Sequence, residues 1–167
     1  MAEALRHARE AASAVPDPEL PMLTLAELGI LRGVAFDGSR LSVSLTPTYS
    51  GCPAMREMQL DVRRRLVDAG YDDVQVSTVL SPPWSSDWIT EEGRRKLADA
   101  GIAPPLPAAR APAGPVPLTL RPTRRDVRCP HCGSPDTEQS ARFGATACRA
   151  LYRCSECAEP FEYLKEI

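Results

Sequence analysis

Two C-x2-C pairs near the end of the sequence constrain this chain more than any other feature. Cys129 and Cys132 form the first pair, and Cys154 and Cys157 form the second after a gap of 21 residues. Four thiolates at this spacing are typical of a tetrahedral metal site, and zinc favours such ligands. Because four protein ligands leave no open coordination position, the pattern predicts a structural metal site rather than a catalytic one.

The segment around these cysteines is too short to bury much apolar surface. Metal binding would therefore supply much of its folding free energy. We predict a zinc-ribbon mini-domain over residues 124–167. Iron stays open as an alternative to zinc, since the same four-thiolate geometry holds a single iron in small electron carriers. His131 lies inside the first pair, and we expect it to be exposed rather than a ligand.

The expected cellular compartment supports metal binding by these cysteines. The opening residues, MAEALRHAREAASAVPDPE, contain no apolar signal core, and no stretch approaches the roughly 20 apolar residues that span a bilayer. We therefore expect a cytoplasmic protein, not bound to membranes, whose reduced thiols bind metal rather than form disulfides. The formal net charge of -2 gives no general attraction to nucleic acid.

Proline divides the chain into two units. Seven prolines lie among residues 103–122, and such a run favours extended, polyproline-like structure. We interpret residues 103–123 as a linker between a first domain, residues 1–102, and the ribbon. The linker is basic, which leaves open both a solubilising tether and a contact with an acidic partner.

The first unit has the pattern of a small α/β (α+β) domain, a three-stranded mixed sheet with helices. Residues 28–46 predict a hairpin with a turn at Asp37-Gly38, and a third strand is predicted over residues 74–80. An apolar stripe predicts a helix over residues 55–69. Further helices are expected over residues 5–15 and from Thr90 to Gly101.

Cys52 is the single cysteine of the first hundred residues, between the end of a strand and the start of the best-predicted helix. With Pro53 in the first turn, Cys52 is expected near the helix N-terminus, where N–H groups and the helix dipole lower a thiol pKa. The thiolate is the form that a metal ligand needs. A packed, unreactive cysteine is the alternative. His7 and His131 offer no evident Cys–His pair, so a thiol protease is not indicated.

Other polar and aromatic features allow more than one interpretation. Asp17 and Glu19 either form an exposed turn or fold back over the Cys52 loop and contribute carboxylates. Cys148 is either a redox or iron-transfer thiol or a small packed residue. The Trp84–Trp88 segment is expected to staple a loop to the last helix, with partner binding as the alternative.

Together these motifs resemble a known family. DPELP and TPTYSGCP resemble the SufT/PaaD-like iron–sulfur assembly domain over roughly residues 5–102. CPHCG, FGATACRALYRC and EPFEYLKEI resemble the tail of the PaaD (also called PaaJ) family of bacterial phenylacetate degradation. The resemblance implies an accessory protein of the phenylacetyl-CoA epoxidase system, whose partners are the oxygenase and reductase subunits. It also implies maturation or repair of an iron or iron–sulfur centre in those partners.

The resemblance also implies site residues. Asp17, Pro18 and Glu19 match the family's acidic motif, while Thr48 and Cys52 match its T-x-x-x-C motif. The resulting hypothesis is a non-catalytic assembly factor in which Cys52 binds transient iron or an iron–sulfur cluster. A homodimer could share a cluster, because one Cys52 per chain cannot supply four ligands. A structural subunit and an electron carrier remain alternatives.

Overall fold

The computed structural model describes residues 2–106 and 126–166. Most of the predicted linker, residues 107–123, lies outside these ranges. The described helices are α1 Ala2–Ser13, α2 Met55–Asp68 and α3 Glu91–Asp99, with a 3-10 turn at Ser86–Trp88. The described strands are β1 Leu31–Asp37, β2 Arg40–Leu45, β3 Val74–Thr78, β4 Ile102–Ala103, β5 Thr137–Ala141, β6 Arg149–Cys154 and β7 Pro160–Leu164.

The first sheet has the order β1-β2-β3. Strands β1 and β2 are antiparallel and β3 runs parallel to β2, so the predicted mixed three-stranded sheet is confirmed. Gly38 has a φ of +63°, the left-handed conformation that the tight hairpin turn requires. Alternate side chains of β2 are buried, namely those of Leu41, Val43 and Leu45. They belong to one buried cluster with side chains of the helices.

Helix α2 buries the predicted apolar stripe through Met58, Val62 and Leu66. It begins at Met55, as the stripe predicted, with Ala54 as the N-cap. Pro53, which we had expected in the first turn, therefore precedes it, and Cys52 lies outside the helix. Helix α3 has the predicted N-cap, since the Thr90 side chain accepts a hydrogen bond from the Gly93 N–H at 3.0 Å.

Helix α1 ends at Ser13, two residues before the predicted end. The Val15 carbonyl instead accepts a hydrogen bond from the Leu25 N–H at 2.9 Å, and Pro16 bridges Thr24. The backbone of residues 15 and 16 therefore pairs with residues 24 and 25 instead of continuing the helix. None of the helices in the two described ranges is long and apolar enough to cross a bilayer.

The second sheet has the order β4-β7-β6-β5. Strands β5, β6 and β7 form an antiparallel ribbon, and Tyr152, Phe161 and Tyr163 pack together on it. Strand β4, the continuation of the first unit after α3, pairs in parallel with β7. Ala103, which we assigned to the linker from the sequence, is thus a buried strand residue.

The two units share apolar contacts as well as this strand pairing. Leu164 at the end of β7 belongs to the same buried cluster as the first sheet and its helices. Cys148, just before β6, packs against that cluster. The exposed His131 ring lies over Gly101, where an added Cβ would come within 3.0 Å of the His131 Cε1 atom. The ribbon is therefore docked on the first unit along one side.

Candidate functional site

The four cysteines of the two C-x2-C pairs converge at one end of the ribbon. Their Sγ atoms all lie within 4.8 Å of one another. Cys129 Sγ is 3.7 Å from Cys157 Sγ, and Cys132 Sγ is 3.5 Å from Cys154 Sγ. Sulfurs bound to one tetrahedral zinc at about 2.3 Å are roughly 3.8 Å apart, so the spacing fits one tetrahedral metal ion with four sulfur ligands.

Tight turns at both pairs hold the sulfurs in place. After the first pair, the Gly133 N–H donates to the Cys129 carbonyl at 2.8 Å, and Gly133 has a φ of +76°. Ala158, directly after the second pair, also has a positive φ, +60°. The glycine signals the first turn in the sequence, whereas the second turn carries no such signal because alanine replaces glycine there.

The pKa values of two thiols in this cluster shift in opposite directions. The backbone N–H groups of Cys157 and Glu156 stabilise a thiolate at Cys154 and lower its pKa to about 7. The Ser134 N–H has the same effect on Cys132, but burial and the neighbouring sulfurs outweigh it and raise that pKa to about 12. Metal binding must therefore displace protons, which makes the affinity of the site fall at low pH.

Cys52 lies at the other candidate site, in the loop between β2 and α2. It is half-buried, and its carbonyl accepts a hydrogen bond from the Met55 N–H at 3.4 Å. Burial raises the pKa of the Cys52 thiol above its ordinary value, and the charges of Cys148 and Asp17 add to the rise. The N–H groups of Ala54 and Met55 offset this only in part.

The expected low pKa of Cys52 is therefore wrong in direction. The expectation rested on a position at the helix N-terminus, but the helix begins at Met55 and the thiol is desolvated. Desolvation disfavours the charged thiolate, and in this loop it outweighs two backbone N–H groups.

Asp17 is buried, with 5% of its surface exposed, and is held in a turn. Its Oδ1 atom accepts hydrogen bonds from the N–H groups of Glu19 and Leu20, both at 2.8 Å. Burial raises the pKa of the Asp17 carboxyl, and the two N–H groups and Arg149 lower it in part. The charge of Asp17 contributes to the rise in the Cys52 pKa, so Asp17 lies within electrostatic range of the Cys52 loop.

Glu19 is exposed and faces the ribbon. Its Oε2 atom lies 3.7 Å from a guanidinium nitrogen of Arg149, which also binds Glu162 Oε2 at 2.7 Å. Arg149 is 8% exposed and directly follows Cys148, so its ion pairs place the ribbon's extra cysteine beside the acidic motif. We did not single out Arg149 from the sequence, because no local pattern marks an arginine that will be buried between distant carboxylates.

Thr48 is half-buried in the same loop as Cys52, four residues before it. Tyr49 lies between them, and burial raises the pKa of its hydroxyl, with further contributions from the charges of Cys52, Cys148 and Glu19. The fold thus gathers Asp17, Glu19, Cys52 and Cys148 into one region. This region is separate from the four-thiol cluster.

Comparison with known proteins matches both units in order. Residues 6–78 match a family model described as iron-sulfur cluster assembly protein, and residues 113–165 match one described as PaaD zinc beta ribbon domain. The chain is 42% identical over 153 residues to a protein of Escherichia coli (strain K12) that is named a putative subunit of 1,2-phenylacetyl-CoA epoxidase. The alignment covers 92% of this chain and 87% of that relative.

A solved structure resembles the first unit. The crystal structure of domain of unknown function DUF59 from Bacillus anthracis matches with a TM-score of 0.53 and 25% identity, over 57% of this chain and 92% of that one. The resemblance in sequence to the E. coli relative extends over both units and the segment between them. The chain therefore belongs to the PaaD family, in which an iron–sulfur cluster assembly domain precedes a zinc beta ribbon.

Proposed function

We propose that this protein matures or repairs an iron or iron–sulfur centre in the phenylacetyl-CoA epoxidase system, and that it is not itself an enzyme. The name of the E. coli relative supports the system, and the match to an iron–sulfur cluster assembly model supports the task. The observation that carries the proposal is the half-buried Cys52 thiol beside the acidic motif of Asp17 and Glu19.

The chemistry of this loop suits a cargo that must be bound and released. Iron takes thiolate and carboxylate ligands, and the cargo here is a substrate, not a resident cofactor. Burial keeps the Cys52 thiol protonated without metal, which protects it from oxidation. Iron binding displaces that proton, and the Asp17 carboxylate is close enough to favour a bound cation by charge.

The ribbon has a different role in this proposal. Its four thiols would hold a structural zinc ion, with iron as the alternative occupant, and the ribbon would dock the oxygenase or reductase. Residues 1–102 would carry the cargo site, and residues 124–167 would carry the docking unit. A homodimer would bring two cargo sites together, so that the Cys52 thiols of both chains could bind one shared cluster.

Replacement of Cys52 tests this function. In cells that carry Cys52→Ser, we expect normal amounts of oxygenase and reductase, with their iron content and activity lowered at least threefold because the cargo thiol is missing. Ser50→Ala, at an exposed position in the same loop, is the matched control and should leave both unchanged. Already matured partners should turn over in a purified assay without this protein.

A structural or electron-transferring subunit is the second candidate, and the word "subunit" in the name of the E. coli relative favours it. If the protein is such a subunit, its partners should be fully loaded with metal but inactive in the purified assay until this chain is added. Full iron content of the partners in the Cys52→Ser background would overturn the assembly proposal.

A further inference from the structure

The ribbon contributes a second half-buried thiol, Cys148, outside its four-thiol cluster. Cys148 lies immediately before β6 and is half-buried, as Cys52 is. Both cysteines pack against the same buried cluster, and their charges influence each other. Tyr49, in the Cys52 loop, is affected by the charges of both thiols. Two cysteines that are 96 positions apart in the sequence thus pack against one buried cluster, within electrostatic range of each other.

Several contacts fix Cys148 in this position. Its Sγ atom is 3.1 Å from Thr146 Oγ1, and its carbonyl accepts a hydrogen bond from the Lys165 N–H at 2.9 Å. The next residue, Arg149, is buried and forms ion pairs with Glu162 and Glu19. The pair with Glu19 crosses between the units, so the loop that carries Cys148 is tied to the acidic motif.

We propose that Cys52 and Cys148 together form a dithiol site that binds the transient iron or iron–sulfur cluster, completed only when the ribbon is docked on the first unit. This inference rests on the proposed function and adds the second ligand to it. On binding ferrous iron, each thiol releases one proton to solvent and each sulfur donates a lone pair to the metal. No electron transfer is involved.

Coordination chemistry favours two thiols at a transfer site. A cluster of the common types takes four cysteine ligands, so a dithiol holds the cargo and leaves positions free for ligands of the recipient protein. Two thiols fill only two positions of a tetrahedral metal, so the proposed Cys52–Cys148 pair would be an open site, unlike the closed four-thiol site.

Iron binding by the intact protein tests the dithiol directly. Full-length chain with its four-thiol site filled by zinc is titrated with ferrous iron without oxygen, and zinc is measured in parallel. We expect one additional iron per chain, and at least tenfold weaker iron binding in both Cys52→Ala and Cys148→Ala. Alanine keeps these packed positions apolar. Ser50→Ala, at an exposed position in the Cys52 loop, retains both thiols. It is the matched control and should bind iron within twofold of the unchanged chain.

A second measurement uses the unchanged chain and does not depend on a variant that folds. A short thiol-bridging reagent, applied to zinc-loaded protein, should join the peptides that contain Cys52 and Cys148, as mass spectrometry would show. Prior addition of ferrous iron should suppress the cross-link at least threefold. Absence of this cross-link, or tight iron binding by Cys148→Ala, would overturn the dithiol.

Partner maturation in cells separates this inference from the proposed function. Poor iron content of the partners with each of the two single variants, Cys52→Ser and Cys148→Ala, supports both proposals. Full iron content with Cys148→Ala alone overturns the dithiol and leaves the assembly role of Cys52 intact. Full iron content with both variants overturns the assembly role and the dithiol together.

Discussion

At the scale of single residues, the Asp17 side chain has two opposing effects on stability: its hydrogen bonds stabilise a turn, and its buried charge destabilises the fold. Its Oδ1 atom holds the turn by accepting two backbone N–H groups, which favours a charged or amide oxygen at this position. Its burial raises the carboxyl pKa above the ordinary value of 3.8, so the negative charge is costly in the folded state. A residue chosen for stability alone would keep the oxygen and lose the charge.

Asparagine meets that requirement, so Asp17→Asn should raise the free energy of unfolding at pH 7. Because the folded-state pKa is raised, the folded chain keeps the Asp17 proton at pH values where the unfolded chain has lost it. The cost is absent below about pH 3.8, grows as the pH rises, and is complete above the folded-state pKa. Urea unfolding from pH 3.5 to 7 should therefore show that Asp17→Asn increases the free energy of unfolding, and that this increase grows with pH.

Asp17→Ala is the matched control, since it removes the charge and the accepting oxygen together. It should be less stable than Asp17→Asn by about 1–2 kcal/mol at every pH, the value of a turn or cap hydrogen bond. If Asp17→Asn increased the free energy of unfolding equally at pH 3.5 and pH 7, the destabilisation could not come from the buried charge of Asp17.

At the scale of elements, the turn before β1 and the segment before α3 lock together. Gly29 has a φ of +70°, and an added Cβ would lie 2.5 Å from the Trp88 Cβ atom and 2.8 Å from its carbonyl oxygen. The buried Trp84 reaches the same turn, because its Nε1–H donates to the Leu28 carbonyl at 2.9 Å. The tryptophan segment thus packs on the turn before β1. From the sequence we had expected it to staple a loop to the last helix.

Gly29→Ala should destabilise the protein by about 3 kcal/mol, since the alanine both adopts a left-handed conformation and collides with backbone atoms of Trp88. Gly38→Ala is the matched control. Gly38 has a similar φ of +63°, but nothing lies within 4 Å of its added Cβ. It should cost only about 1 kcal/mol, the backbone term alone. Chemical denaturation measures both, and equal costs would show that the close approach to Trp88 is unimportant.

At the scale of the whole molecule, the ribbon is part of the support of the first unit. Strand β4 pairs with β7, and Leu164 and Cys148 lie against the first unit's core. A ribbon that needs its metal to fold should therefore transmit the loss of that metal to the first sheet and its helices. The chain is more tightly coupled than two domains joined by a linker.

Metal removal measures this coupling. Both tryptophans of the chain, Trp84 and Trp88, lie in the first unit, so their fluorescence reports on that unit alone. Chelation, or Cys129→Ser, should lower the midpoint of thermal unfolding detected by tryptophan by about 5–10 °C, as expected for a loss of one to two kcal/mol in a small domain. Zinc added back to the chelated chain should restore the midpoint. An unchanged midpoint would show that the two units fold independently.

Local patterns in the sequence determined the four-thiol site and several helices and strands of this protein. The C-x2-C pairs specified the four-thiol site, since their spacing places the sulfurs of each pair on one tight turn. The turn residues Asp37-Gly38 specified the hairpin, and the apolar stripe of α2 specified that helix. The Thr90 cap specified the start of α3. Each of these features depends on neighbours within a few residues. The mixed three-stranded sheet and the attached ribbon followed from these elements.

Only the tertiary structure decided the second candidate site. Long-range packing made β4 a strand of the ribbon sheet, ended α1 early and buried Arg149 between Glu19 and Glu162. The direction of the Cys52 pKa shift depends on burial and on the charges of Asp17 and Cys148, which lie far away in the sequence. Desolvation and charge proximity are properties of the folded chain, so no local pattern around Cys52 could reveal its neighbours.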